Sequence, residues 1–199
     1  MELGTAIASA WSAGISMYAV IAVLGVAGRL GWVETAAVLQ EPWVIGVAIT
    51  LFGIEFVIDK VAVLDSVWDA VHTALRPIAG AALAASAPEQ TLPPWLMLVV
   101  GALLALSSHS AKASARAMVN TSPEPASNVV VSTTEDGLVV AVMALAIAYP
   151  AVALVVTILF AVASGIVAVV LFRASRAAWR RLRTRWSSPA PEPPPSPSP

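Results

Sequence analysis

Residues 137–172 contain no charged side chain, and this feature limits the possible folds more than any other. A helix that crosses the roughly 30 Å hydrocarbon core of a membrane needs about 17 to 25 residues, so this stretch is too long for one crossing. Tyr149 and Pro150 interrupt it, and a proline after an apolar run often marks a helix boundary. The stretch therefore predicts two membrane-spanning helices joined by a tight turn.

Three further apolar runs, at 3–28, 42–59 and 90–108, are long enough to be membrane spans. The composition agrees, because 58% of the residues are hydrophobic and only 12% are charged, whereas soluble domains have about 25% charged residues. The sequence thus predicts an all-α, polytopic transmembrane helical bundle whose main partner is the lipid bilayer.

The segment 77–88 is apolar but too short to cross a membrane alone. It either continues residues 67–76 as the second half of a broken span, or it is a re-entrant segment. An amphipathic or broken helix is therefore expected near residues 65–76. The first alternative gives about six spans in total, and the second gives five.

Six of the eleven basic residues follow the last predicted span, between Arg173 and Arg185. The positive-inside rule places this flank and the C-terminus in the cytoplasm, with the chain in the inner (plasma) membrane. Six spans would make the N-terminus cytoplasmic as well, and five would place it outside.

Residues 1–186 are expected to form a single transmembrane domain. Residues 187–199, rich in proline, are expected to be a disordered cytoplasmic tail, with a proline-binding partner as one alternative.

The charge and the cysteine count exclude several classes of protein. A formal net charge of -1 argues against a nucleic-acid binder that depends on overall basicity. Because the chain has no cysteine, it has no disulfide, no thiolate metal site and no cysteine nucleophile. A homo-oligomer stays open as an alternative.

Ionisable residues near the predicted spans fall into two stripes on helix faces. At about 100° per residue, the first stripe covers an arc of about 60° and the second an arc of about 80°. Glu55 and Asp59 add an i, i+4 carboxylate pair that needs a proton, a cation or a basic partner such as Lys60, Arg76, Lys112 or Arg116. The first stripe is Asp65, Asp69, His72 and Arg76, and the second is His109, Lys112, Arg116 and Asn120. With Glu124 and Asn128 from the following loop, these residues are the candidates for a polar cavity.

Some of these residues can instead have a purely structural role. Asp65 precedes an apolar helical segment, so it would be the N-cap of that helix. The apolar run at 90–108 would end at Ser108, and the side chains of Lys112 and Arg116 would then extend to the cytoplasmic interface.

Residues 132–135, Ser-Thr-Thr-Glu, match a capping box, so Glu135 is expected to begin the next helix. Asp136 has the same explanation through the helix dipole. Even if Glu135 and Asp136 serve only to begin this helix, carboxylates outnumber the permanent cations among the candidate residues. This excess of negative charge favours protons or metal cations as ligands over a bare anion.

Residues 55–60 read Glu-Phe-Val-Ile-Asp-Lys, and residues 72–77 contain His-x3-Arg-Pro. The second half adds His-Ser-Ala-Lys at 109–112 and Ser-Pro-Glu-Pro at 122–125. Over about 14–172 the chain resembles DUF4126, a family of small polytopic bacterial membrane proteins defined as a domain of unknown function. The resemblance implies a multi-pass membrane protein without an established activity. The family tends to place a polar residue in the first span, where this chain has Ser16.

Three functions are compatible with these features. The first is a transporter or channel-like protein with a polar cavity open to the cytoplasm, in which Asp69 and His72 carry protons. The second is a membrane enzyme acting on a lipid headgroup, in which Asp65, Asp69 and His72, with Glu55 and Asp59, bind a divalent metal, and Lys112 and Arg116 bind phosphate. The third is a structural or assembly subunit in which acid–base pairs fix the helix packing. The sequence contains no familiar catalytic motif, so the enzyme is the less favoured interpretation.

Overall fold

The computed structural model describes residues 1–87, 92–119 and 125–186, so the predicted tail, Asn120 and Glu124 lie outside the described residues. Within these ranges the chain is all-helical, with six α-helices, one short 3-10 helix at Ala37–Gln40 and no strand. This confirms the predicted fold class. The α-helices are α1 Leu3–Arg29, α2 Pro42–Ile58, α3 Ala62–Ala85, α4 Pro94–Val119, α5 Pro125–Ala148 and α6 Pro150–Trp186.

Four of these helices are long and apolar enough to cross a membrane, namely α1, α4, most of α5 and the apolar part of α6, Pro150–Ala174. Helix α2 is also apolar but has only 17 residues. Large apolar side chains such as Leu159 and Val162 on α6 are exposed, as expected of a surface that faces lipid. The chain is therefore a multi-pass membrane protein.

The sequence made two predictions about helix boundaries, one for the charge-free stretch 137–172 and one for segment 77–88. Only Tyr149 separates α5 from α6, so the predicted helical hairpin is confirmed. Segment 77–88 is not re-entrant over its described residues, because α3 continues through Pro77 as far as Ala85. Helix α3 packs closely on α4, and a side chain at Gly80 would collide with Ala105.

The ends of the helices define two ends of the bundle. We use "basal end" for the end at which α2 and α4 finish and α3 and α5 begin, and "apical end" for the opposite one. The contacts of α2 agree with this description. Asp59, directly after α2, contacts Lys112 and Arg116 in the last turns of α4, whereas Glu55, one turn earlier, contacts Arg76, which is farther along α3. Helix α2 therefore runs toward the basal end and antiparallel to α3.

Helix α1 does not follow a straight path, because Ser16 interrupts it with a φ of -146° and a ψ of 94°. In its first half, Gly4 lies against Pro150 at the apical end, while Ile15 accepts a hydrogen bond from Lys112 nearer the basal end. The first half therefore descends from the apical end toward the middle of the bundle.

The second half of α1 returns toward the apical end. Ser16 contacts Glu55 near the end of α2, and Gly25 lies against Ile45 near its beginning. The second half is thus antiparallel to α2, which itself runs toward the basal end. Helix α1 has the length and apolar character of a span, but it forms a V with Ser16 at the apex.

This V changes the topology expected from six straight crossings. Both ends of α1 lie toward the apical end, and the five helices α2 to α6 then alternate in direction. Helix α6 starts apically at Pro150, so its C-terminal end and residue 1 lie at opposite ends of the bundle. Helix α1 contacts all five other helices and is the centre of the fold.

Candidate functional site

The apex of α1 lies beside a set of ionisable and polar side chains that α2, α3, α4 and α5 contribute, which we name the charged cluster. All members are buried except Glu135, whose side chain is 15% exposed. The members are Glu55, Asp59, Asp65, Asp69, Arg76, His109, Lys112, Arg116, Asn128, Glu135 and Asp136. The structure therefore encloses these side chains in a packed core rather than around an open cavity.

Arg76 is at the centre of one half of the cluster and is completely buried. Its Nη2 donates to Glu55 Oε1 at 2.7 Å, and its Nη1 donates to Asp69 Oδ1 at 2.8 Å. The same Nη1 lies 2.8 Å from His109 Nδ1. Because a guanidinium group only donates, His109 Nδ1 accepts, and the imidazole carries its proton on Nε2, 3.1 Å from Thr73 Oγ1.

Lys112 connects the other half of the cluster to α1. Its Nζ donates to Asp59 Oδ2 at 2.7 Å and to the main-chain carbonyl of Ile15 at 3.2 Å. Glu135 Oε2 is 3.9 Å away. The ammonium group thus lies between three oxygen atoms from three separate parts of the chain.

Arg116 joins α4 to α5, and is also buried. Its Nε donates to Glu135 Oε2 at 3.1 Å, and its Nη1 donates to Asn128 Oδ1 at 2.8 Å. Its Nη2 lies 3.4 Å from Asp59 Oδ2 and 3.6 Å from Asp65 Oδ1. One guanidinium group therefore contacts side chains from α3 and α5 and from the turn after α2.

The interruption of α1 gives the two halves of the cluster different electrostatic surroundings. The first half-helix ends at Ile15, and its C-terminal partial negative charge faces the Lys112 ammonium group. The second half-helix begins beside Ser16, whose hydroxyl donates to Glu55 Oε2 at 2.5 Å. Its N-terminal partial positive charge therefore lies near a carboxylate, so each new helix end has a side chain of opposite charge.

Two predicted site residues lie at the edge of the cluster. His72 Nδ1 donates to the Trp68 carbonyl at 2.8 Å, and His72 Nε2 lies 3.0 Å from the Tyr18 hydroxyl. The Trp68 ring stacks on the imidazole at 4.4 Å. Lys60 donates to the Phe56 carbonyl at 3.0 Å. Among the described residues, neither His72 nor Lys60 forms an ion pair within 4.0 Å.

Two structural interpretations of the sequence are wrong. Asp65 is not an N-cap, because Val61 holds that position and Asp65 is buried in the first turn of α3. Helix α4 does not end at Ser108, since it continues to Val119 with Lys112 and Arg116 buried inside the bundle. In each case a partner of opposite charge on a neighbouring helix makes burial tolerable.

The predicted capping box at 132–135 is also wrong. Helix α5 begins at Pro125, so Glu135 lies in the middle of the helix, where it contacts Arg116. Asn128, Ser132 and Glu135 are separated by four and three residues, the spacing of one helix face. That spacing is the signal that would have placed Glu135 in the site.

The proposed metal ligands Asp65, Asp69 and His72 do not come together. Asp65 lies toward Arg116, Asp69 is paired with Arg76, and His72 contacts aromatic side chains. In the part of the chain that the structure describes, no three His, Cys, Asp or Glu side chains are arranged to hold a metal ion. The carboxylates have basic side chains as their neighbours instead.

The charges in the cluster do not balance. It contains six carboxyl groups but only three permanent cations, Arg76, Lys112 and Arg116. Within the described ranges, Asp136 has no ion pair within 4.0 Å, and its Oδ2 has no hydrogen-bond partner. Because an uncompensated buried carboxylate is costly, the cluster needs protons or an added cation to be stable.

Comparison with known proteins identifies a family but no activity. The sequence model of DUF4126, described as a domain of unknown function, matches residues 3–172. No curated protein and no solved structure matches the chain. The matched region contains every residue of the charged cluster.

Proposed function

The chain belongs to the DUF4126 family, and since this description carries no activity, we propose from the charged cluster that the protein is a small transporter or channel-like protein for protons or small cations. The observation that carries the proposal is the excess of buried carboxyl groups over cations beside the interrupted helix α1. Protons or cations are the ligands that this excess demands.

Two further features support transport. Ionisable residues inside membrane proteins are costly to bury, and they usually mark the pathway of an ion or a substrate. Secondary transporters also place their binding sites where helices are interrupted near the middle of the membrane, so that helix ends face the ligand. Ser16 gives α1 such an interruption, with Glu55 and Lys112 at the two helix ends.

The orientation of the protein is part of the proposal. Arg173 lies at the end of the apolar part of α6 and Arg176 follows it, and by the positive-inside rule both lie on the cytoplasmic side of the inner membrane. The basal end then faces the cytoplasm, and the apical end and residue 1 face the opposite side. Glu135, the most exposed carboxylate of the cluster, is the entry point for protons from the cytoplasm.

Proton flux into liposomes tests the proposal. We expect purified protein to carry protons under a membrane potential, and Asp136→Asn to lower the rate at least about tenfold, because it removes an intramembrane titratable group. The matched control is Thr134→Ala on the same helix, where an exposed hydroxyl bonds only to its own helix at Val130. Flux no greater than in empty liposomes, or equal flux in both variants, would contradict the proposal.

A structural subunit is the second candidate, and one observation favours it. Each of the three buried cations contacts at least one carboxylate, so the cluster also connects helices α2 to α5. In that case the protein carries no protons, and removing one partner of a buried pair only destabilises the bundle. Size-exclusion chromatography and the flux assay together separate the two candidates, since only a transporter loses flux in an Asp136→Asn variant that stays folded.

A further inference from the structure

The environment of the Lys112 ammonium group is typical of a cation site made of oxygen atoms. Asp59 Oδ2 and the Ile15 carbonyl lie 2.7 and 3.2 Å from Nζ, and Glu135 Oε2 lies 3.9 Å from it. Carboxylate and main-chain carbonyl oxygens are the ligands that hard cations prefer. The side chain of Lys112 is only 2% exposed, so the ammonium group has left water to reach these atoms.

The Ile15 carbonyl is available because α1 is interrupted. A continuous helix would engage this carbonyl with the amide four residues later, whereas the non-helical Ser16 ends the first half-helix there. Interrupted helices in transporters bind sodium through such freed carbonyls and through the negative C-terminal end of the half-helix. In this chain the same two features face Lys112.

Asp59 provides a second, independent observation. It is 1% exposed, and its Oδ1 has no hydrogen-bond partner among the described residues. This position therefore offers more oxygen atoms than one ammonium group contacts. An alkali-metal ion, which is not limited to three N–H directions, can contact more of them.

We propose that Asp59, Glu135 and the Ile15 carbonyl form a site for one monovalent cation, which Lys112 occupies with its own ammonium group. The inference rests on the proposed function and identifies the ligand class of that site as alkali-metal ions. An ion and the Lys112 ammonium group exclude each other there, so binding of the ion displaces Lys112 from Asp59. An ammonium group is closer in size to potassium than to sodium, so potassium is the preferred ion.

Thermal unfolding of Lys112→Ala in detergent tests this site. We expect its melting temperature to rise with each tenfold increase in KCl, at an ionic strength kept constant with N-methylglucamine chloride, because a ligand of the folded state stabilises it by mass action. The protein with Lys112 and the matched control Lys60→Ala, which removes a lysine outside the ion pairs, are expected to show a much smaller potassium-specific rise, because the Lys112 ammonium group competes for the site. The double variant Lys112→Ala/Asp59→Asn is expected to lose the rise.

The outcomes are distinct from those of the flux assay. The inference is overturned if Lys112→Ala melts at the same temperature in both salts, or if it cannot be purified in either salt while the double variant can. Binding of radioactive rubidium to Lys112→Ala and its absence in the double variant would support the site directly. Failure of the protein to carry protons would contradict the proposed function but would not affect these binding results.

Discussion

Replacing Arg76 with methionine is expected to destabilise the protein strongly. Arg76 is fully buried and pairs with Glu55 at 2.7 Å and Asp69 at 2.8 Å, so water does not weaken these interactions. Removing one partner of a buried ion pair costs about 3 to 5 kcal/mol, because the other charge stays buried without compensation. Here two carboxylates and the acceptor nitrogen of His109 lose their partner together, so we expect a loss at the upper end of this range.

The assay is reversible unfolding in mixed detergent micelles with increasing denaturing detergent, which gives the free energy of unfolding of each variant. Arg29→Met is the matched control, because Arg29 is exposed and makes one hydrogen bond, of 3.1 Å, to the Gln40 carbonyl.

Specific results would refute this reasoning. We expect Arg29→Met to change the free energy of unfolding by less than about 0.5 kcal/mol. A loss below about 1 kcal/mol for Arg76→Met would show that the guanidinium group is not compensating two buried charges.

Three further predictions concern single contacts. Ser16→Ala is expected to lower the free energy of unfolding by about 1 to 3 kcal/mol, measured by the same assay, because it removes a buried hydrogen bond to a charged group. Gly101→Ala is expected to cost about 1 to 3 kcal/mol by overpacking against α3, whereas Gly46→Ala, which adds a methyl group in open space, is expected to be nearly neutral. Nitrogen chemical shifts in labelled protein are expected to show His109 with its proton on Nε2 and His72 with a proton on Nδ1; a His109 proton on Nδ1 would contradict the Arg76 contact.

The sequence was a good guide to helices and to the buried faces of α3 and α4. Prolines mark the beginnings of α2, α4, α5 and α6, where a missing amide proton costs no helical hydrogen bond. The four-residue spacing of Asp65 and Asp69 and that of Lys112 and Arg116 identify faces that the structure buries. These features are local, so the sequence shows them directly.

Features that depend on distant partners were not predictable in the same way. Ser16 breaks α1 without a proline, and the helix ends it creates are stabilised by Glu55 and Lys112, which are far away in the sequence. Glu135 looked like part of a capping box because only its near neighbours were considered, whereas its contact is Arg116 on another helix. A charge stripe shows that partners are needed, but only the fold shows which ones.

Because α1 is at the centre of the bundle, it is synthesised before the other helices but can complete its packing only after they have been made. Helix α1 precedes the other five described helices in the chain, yet it packs against all of them, including α6, where Trp11 stacks on Phe160 at 5.3 Å. The polar groups at its apex therefore have no partners until the ribosome has made α2 and α4. Until then, lipid or the insertion machinery must accommodate a polar bend in the membrane. The V is thus expected to close late, as the helices that surround it arrive.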